Sequence, residues 1–169
     1  HGRRWPPPGR VSFGIGGGGV RVSALLQWPA LEQMRAKCDQ VVSFGQGTFA
    51  WKEDDRYTAV LTQFGAERLD SVLTMLLRTL GSARAREDLP HAPPRIQKLV
   101  EYLGGLDRGQ ILFACDPGQG PILFCGWWPW GNGVTISIRI GLFDEAATDE
   151  DRDAHRQLLH SWFSLSPAT

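Results

Sequence analysis

Residues 110–143, QILFACDPGQGPILFCGWWPWGNGVTISIRIGLF, decide the fold. In VTISIRIGLF (134–143), Val134, Ile136, Ile138, Ile140 and Leu142 alternate with Thr135, Ser137 and Arg139. That is the period of a β-strand with one apolar face and one wet face. The two runs before it, QILFAC and PILFCGW, are apolar on both faces and are expected centrally in a sheet covered on each side. Between the second and third strands lies CGWWPWGNG (125–133), where Trp127, Trp128 and Trp130 crowd around Pro129 ahead of a Gly-Asn-Gly turn. Adjacent strand residues face opposite ways, so Trp127 and Trp128 cannot both enter one core, and Trp130 is the hardest of the three to bury. Tryptophan is a common interface anchor. Trp128, Pro129, Trp130 and Asn132 are therefore the candidate partner-binding residues, against the alternative of a hairpin tip folded back over the sheet's end.

Working outward, Thr148 can cap a C-terminal helix through its hydroxyl while Asp151 reaches back as in a capping box. Leu158, Leu159, Trp162 and Phe163 would dock that helix. Upstream, Pro94 opens a helix whose Ile96, Leu99, Val100 and Leu103 form one stripe before Gly104. SARAREDLPHAPP (82–94) reads as a surface loop. The clearest helix covers residues 69–80, with Leu69, Val72, Leu73, Leu76, Leu77 and Leu80 in its stripe, Met75 at the margin and Gly81 as its stop. Leu31, Met34 and Cys38 behind Pro29 predict a helix over residues 29–38. DQVVSFGQGTFAWKEDDRYTAVLTQF (39–64) reads as three strands with turns at Gly45-Gln46-Gly47 and Asp54-Asp55. Placing Phe49 and Trp51 on one face with Tyr57, Ala59 and Leu61 requires an odd-length loop such as Asp54 to Arg56.

The resulting order, α-βββ-α-α-βββ-α, predicts an α+β fold: an antiparallel sheet of five or six strands with about four helices packed on it. A pseudo-duplicated α-βββ-α unit has the same element order, but the aligned halves share no convincing residues. One globular domain is expected over residues 23–169. It would follow a flexible Pro/Gly-rich lead over residues 1–22, whose GIGGGG formally fits a dinucleotide loop yet lacks the context that such a loop requires, since VRVSALLQWP follows it and the next helix opens only at Pro29.

The 169 residues suit one core, and the 18 Lys+Arg and 18 Asp+Glu leave no net charge to attract nucleic acid. No apolar run reaches membrane-spanning length. No nucleic-acid or membrane partner is expected, and a cytoplasmic location is. Cys38, Cys115 and Cys125 have neither disulfide nor zinc-ribbon spacing and read as small core hydrophobes. VVSFG lacks the first glycine of a nucleophile elbow. Asp54-Asp55 reads as a solvated turn. His155 stands one turn after Asp151, a spacing for two metal ligands with no third in sight. No catalytic residue, metal or cofactor is therefore assigned. The expected function is a non-enzymatic binding or regulatory domain, of adaptor, immunity or chaperone type, recognising a protein partner or a second copy through a sheet edge and the Trp loop. The alternative is a small enzyme or ligand-binding domain with a pocket between the Trp hairpin and the C-terminal helix, using Asp151 and His155.

Deleting residues 1–22 is expected to leave the thermal midpoint nearly unchanged, because so Gly- and Pro-rich a segment has few side chains to bury. A clear fall in melting temperature would place Phe13 and Val20 in an added strand.

Overall fold

The computed structural model describes residues 29–165; the expected lead over residues 1–22 lies outside them. Strands β1 (Lys52–Glu53), β2 (Ala59–Gly65), β3 (Ala83–Arg84), β4 (Ile111–Cys115), β5 (Ile122–Pro129) and β6 (Thr135–Phe143) form one antiparallel sheet, ordered β1-β2-β6-β5-β4-β3. The helices among the described residues are α1 (Pro29–Phe44), α2 (Leu69–Leu80), α3 (Pro94–Tyr102) and α4 (Asp149–Trp162), with short 3-10 turns at Ala66–Arg68 and Arg86–His91. The fold is α+β, as the element order predicts. The first half supplies β1 and β2 at one end of the sheet and β3 at the other, so the two halves are interleaved and the pseudo-duplicated arrangement does not occur.

The pleat sorts side chains into two cores. On the front face, Val60, Phe64, Phe113, Leu123, Cys125, Trp127 and the Ile136, Ile138, Ile140, Leu142 series pack against α1, α2 and α4. On the back face, Ala59, Leu112, Ala114, Ile122 and Phe124 pack against α3 through Ile96, Leu99 and Val100. β5 and β4 are thus clad on both sides, which is why their sequences are apolar at nearly every position. α4 begins as expected: the Asp151 N–H donates to Thr148 Oγ1 (3.1 Å) and the Thr148 N–H donates to Asp151 Oδ2 (3.0 Å).

Several elements differ from their sequence reading. α1 runs on to Phe44 because Val41 continues the stripe of Leu31, Met34 and Cys38 into the front core; packing outweighs the strand preference of the Val41-Val42 pair. Only two strands therefore follow. Lys52 pairs with Leu61 and Glu53 with Val60, so odd positions oppose even ones and the expected parity is reversed. Phe49 and Trp51 face the front core, where Phe49 lies 5.8 Å from Phe64 and Trp51 lies 4.6 Å from Phe163. Tyr57 and Ala59 belong to the back core. The segment 82–94 holds β3 and a 3-10 turn. In α2, Met75 is buried and Leu77 is 48% exposed, the reverse of their expected places.

The expected wet face of β6 is covered. Ser137 is buried and Arg139 is mostly so, with Trp130 hydrogen-bonded to the first and Trp128 and Tyr57 beside the second. Arg139 Nε donates to Asp54 Oδ2 at 2.6 Å, and Asp54 Oδ1 accepts the Arg56 N–H at 2.9 Å. The guanidinium lies 5.4 Å from the Trp128 ring centre and 5.9 Å from that of Tyr57. Asp54 is 5% exposed. It sits in a turn as expected, but buried and paired rather than solvated.

Leu76→Ala is expected to destabilise the fold by about 2–5 kcal/mol, since Leu76 is wholly enclosed. Leu77→Ala, one position on, is expected to stay within about 0.5 kcal/mol of the parent. Chemical denaturation of the two variants checks the orientation of α2.

Candidate functional site

The hairpin joining β5 and β6 is fixed by its own polar groups. Asn132 Oδ1 accepts the N–H groups of Val134 (3.0 Å) and Thr135 (3.1 Å), and its Nδ2 donates to Thr135 Oγ1 (3.1 Å). The Trp130 N–H donates to the Thr135 carbonyl at 2.8 Å, and the Gly133 N–H donates to the Trp130 carbonyl at 3.2 Å. Gly133 turns the chain at φ 73°, a left-handed conformation that favours glycine.

The tryptophans divide by pleat. Trp127 points into the front core, 5.6 Å from Phe64. Trp128 points to the back, half-buried, and its indole folds over Gly126, where a Cβ would overlap the ring. That glycine leaves the space in which Trp128 reaches Arg139. Trp130 is 47% exposed, and its indole Nε1–H donates to Ser137 Oγ at 2.6 Å. The tip is folded back onto the sheet and still presents half an indole to solvent. Pro129 and Asn132 are exposed, with the Asn132 amide engaged inside the turn. Val134, read from alternation as a core residue, lies beyond the strand's end and is 61% exposed. It joins Pro129 and Trp130 at the tip; its place next to the Gly-Asn-Gly turn was the available signal.

A second feature lies at the other end of β6, where α3 and α4 approach from opposite faces. A pocket of about 370 Å³ opens there between Thr58, Tyr102, Phe143, Asp144, Arg152 and His155, with Lys98, Glu101 and Glu145 also on its walls. The alternative reading placed a pocket beside the Trp hairpin; none of the lining residues belongs to it, because His155 lies near the end of β6 opposite the hairpin. The Asp151 carboxylate completes the capping box of α4 with Thr148. His155 is 2% exposed, and its Nδ1 has no hydrogen-bond partner among the described residues. Burial pushes its pKa below the ordinary value, against the pull of Asp144 and Asp151 and together with the smaller push of Arg152.

The other candidate groups are held apart from both features. Burial raises the pKa of Cys38 and of Cys125, with smaller raising contributions from nearby charges, and it raises that of Cys115 against the lowering influence of Lys37. A thiol so displaced is a poor nucleophile. Cys115 Sγ donates instead to the Leu80 carbonyl at 3.4 Å. Among the described residues, no group of three or more His, Cys, Asp or Glu side chains could hold a metal ion, and no helix is long and apolar enough to cross a membrane.

Comparison with protein-family models, with curated proteins and with solved structures finds no match for this chain.

Because His155 is harder to protonate folded than unfolded, the unfolded chain binds the extra proton first. The stability this confers is complete above the ordinary histidine pKa of 6.5 and is lost as pH falls through the lower folded pKa. Denaturation midpoints are expected to fall between about pH 7.5 and pH 5.5, and His155→Gln is expected to flatten that slope. An unchanged slope in the variant would show that His155 is not the group responsible.

Proposed function

We propose that this domain works by binding another protein through the tip of the β5–β6 hairpin. The observation that carries this reading is Trp130, a half-exposed indole anchored to Ser137 by a 2.6 Å hydrogen bond. An aromatic side chain already fixed in place loses little conformational freedom on contact, the property that favours tryptophan as an interface anchor. Pro129 and Val134 extend the surface, while Trp128, folded over Gly126, stands apart from it.

The surface also selects the chemistry of its partner. From Gly126 to Ile138 the chain carries no charged side chain, so the tip suits an uncharged apolar patch on the other protein. Attraction of that kind is insensitive to salt. The sheet edges are less suited to the task. β1 and β3 are two residues long, and Lys52, Glu53 and Arg84 stand on them. Short charged edges of this kind discourage strand addition.

The test places a photo-reactive residue at Val134 in the producing cells, identifies the cross-linked protein, and titrates it in purified form. Trp130→Ala is expected to weaken that binding at least tenfold while costing only about 1 kcal/mol of stability, the scale of one hydrogen bond. Trp127→Ala is expected to cost about 3–5 kcal/mol as a core lesion. Equal affinity of parent and Trp130→Ala for the purified partner would remove the proposal. If the cross-linked protein is this chain itself, the partner is a second copy, and melting will depend on protein concentration.

A further inference from the structure

We infer that the pocket between α3 and α4 is a binding site for a small organic cation, an ammonium group carried on a flat apolar body. The site is separate from the hairpin, and its occupancy does not rest on the partner proposed there.

The charges around the pocket determine the sign of the ligand. Both cations on its walls already have partners. Lys98 Nζ lies 3.5 Å from Glu101 Oε2, and Arg152 pairs with Asp149 while its Nη1 donates to the Ala147 carbonyl at 2.9 Å. The acids are less engaged. Asp144 Oδ1 accepts the Ala146 N–H at 3.0 Å, and neither Asp144 nor Glu145 forms an ion pair with a described residue. The unbalanced charge at the rim is therefore negative. An anion would have to displace existing pairs; a cation would complete open ones.

The shape of the site selects the rest of the molecule. Tyr102 stacks on Phe143 with ring centres 4.9 Å apart and planes 29° apart. The Tyr102 hydroxyl is held by the Thr58 N–H, which donates to it at 3.0 Å, so this aromatic wall exists before a ligand arrives. Aromatic faces attract cations and pack against flat apolar groups. His155 closes the wall from α4, with its ring almost completely buried. The volume of about 370 Å³ is at the small end of the range for small-molecule sites.

The experiment uses the full chain and three probes of one shape and different charge: phenethylammonium, 2-phenylethanol and phenylacetate. Binding is followed at the His155 ring resonances by NMR. Phenethylammonium is expected to give a saturable shift, 2-phenylethanol to bind at least tenfold more weakly, and phenylacetate to leave the resonances in place. The double variant Asp144→Asn, Glu145→Gln removes charge with little change of shape. It is expected to weaken phenethylammonium at least tenfold with the melting temperature unchanged, whereas Trp130→Ala should leave this titration as it is. The inference is overturned if phenylacetate binds as well as the cation, if all three probes bind alike, if the double variant binds phenethylammonium as the parent does, or if phenethylammonium gives no saturable shift up to about 10 mM, an order above the weakest affinity usually assigned to a site.

Discussion

The back of the sheet depends on one ion pair, Asp54 with Arg139. Removing two charges from water is costly, and the attraction between them offsets that only when the geometry is close and the remaining polar atoms are satisfied. Here the contact is 2.6 Å, Asp54 also accepts the Arg56 N–H, and the guanidinium lies between the rings of Trp128 and Tyr57. Each element of that enclosure constrains another. Trp128 reaches Arg139 because Gly126 has no side chain beneath the indole. Asp54 reaches Arg139 because the β1–β2 turn is folded over the back of β6. The pair therefore ties the first hairpin to the last strand and leaves little freedom in the residues around it.

The same pair explains where the sequence was hard to read. Arg139 alternates with isoleucines and so looks like a solvent-facing residue; its partner stands 85 positions away, and local pattern carries no sign of it. Ser137 is hidden for a similar reason, because its cover is the indole of Trp130 folded back from the turn. The cladding of β4 and β5 was legible, since burial on two faces leaves only apolar residues, and so were α2, α3 and the Thr148 cap, whose signals are local. The far end of α1 was misread because Val41 and Val42 have strand preferences while Val41 also fits the helical stripe. The reversed parity of β1 and β2 came from an even number of residues between the paired Glu53 and Val60 where an odd number was expected, and local chemistry does not fix that number.

Legibility of the two candidate features divides in the same way. The hairpin tip is contiguous, and the pleat rule alone separates Trp127 from Trp128. The pocket is assembled from Thr58, the α3 residues Lys98 and Tyr102, the loop acids Asp144 and Glu145, and His155 of α4. Its lining falls into two separate stretches, Lys98 to Tyr102 and Leu142 to His155, with Thr58 standing alone upstream. His155 stood out as a histidine on an apolar helix face, but the Tyr102 half of the aromatic wall comes from α3, far upstream, and only its Phe143 half lies near in sequence.

The placement of β2 has a consequence for how the chain reaches this structure. β4, β5 and β6 are neighbours in both sequence and sheet, and their short connections allow early pairing, whereas β2 must return from far upstream to cover β6. Pairings that close long loops form late and slowly. Until β2 arrives, β6 is an open edge of alternating isoleucines, the kind of strand on which chains aggregate. Arg139 then has a second role. Enclosed in the finished fold, it is a charge on the exposed edge of the incomplete one, a gatekeeper against wrong pairing that becomes a structural anchor when Asp54 docks.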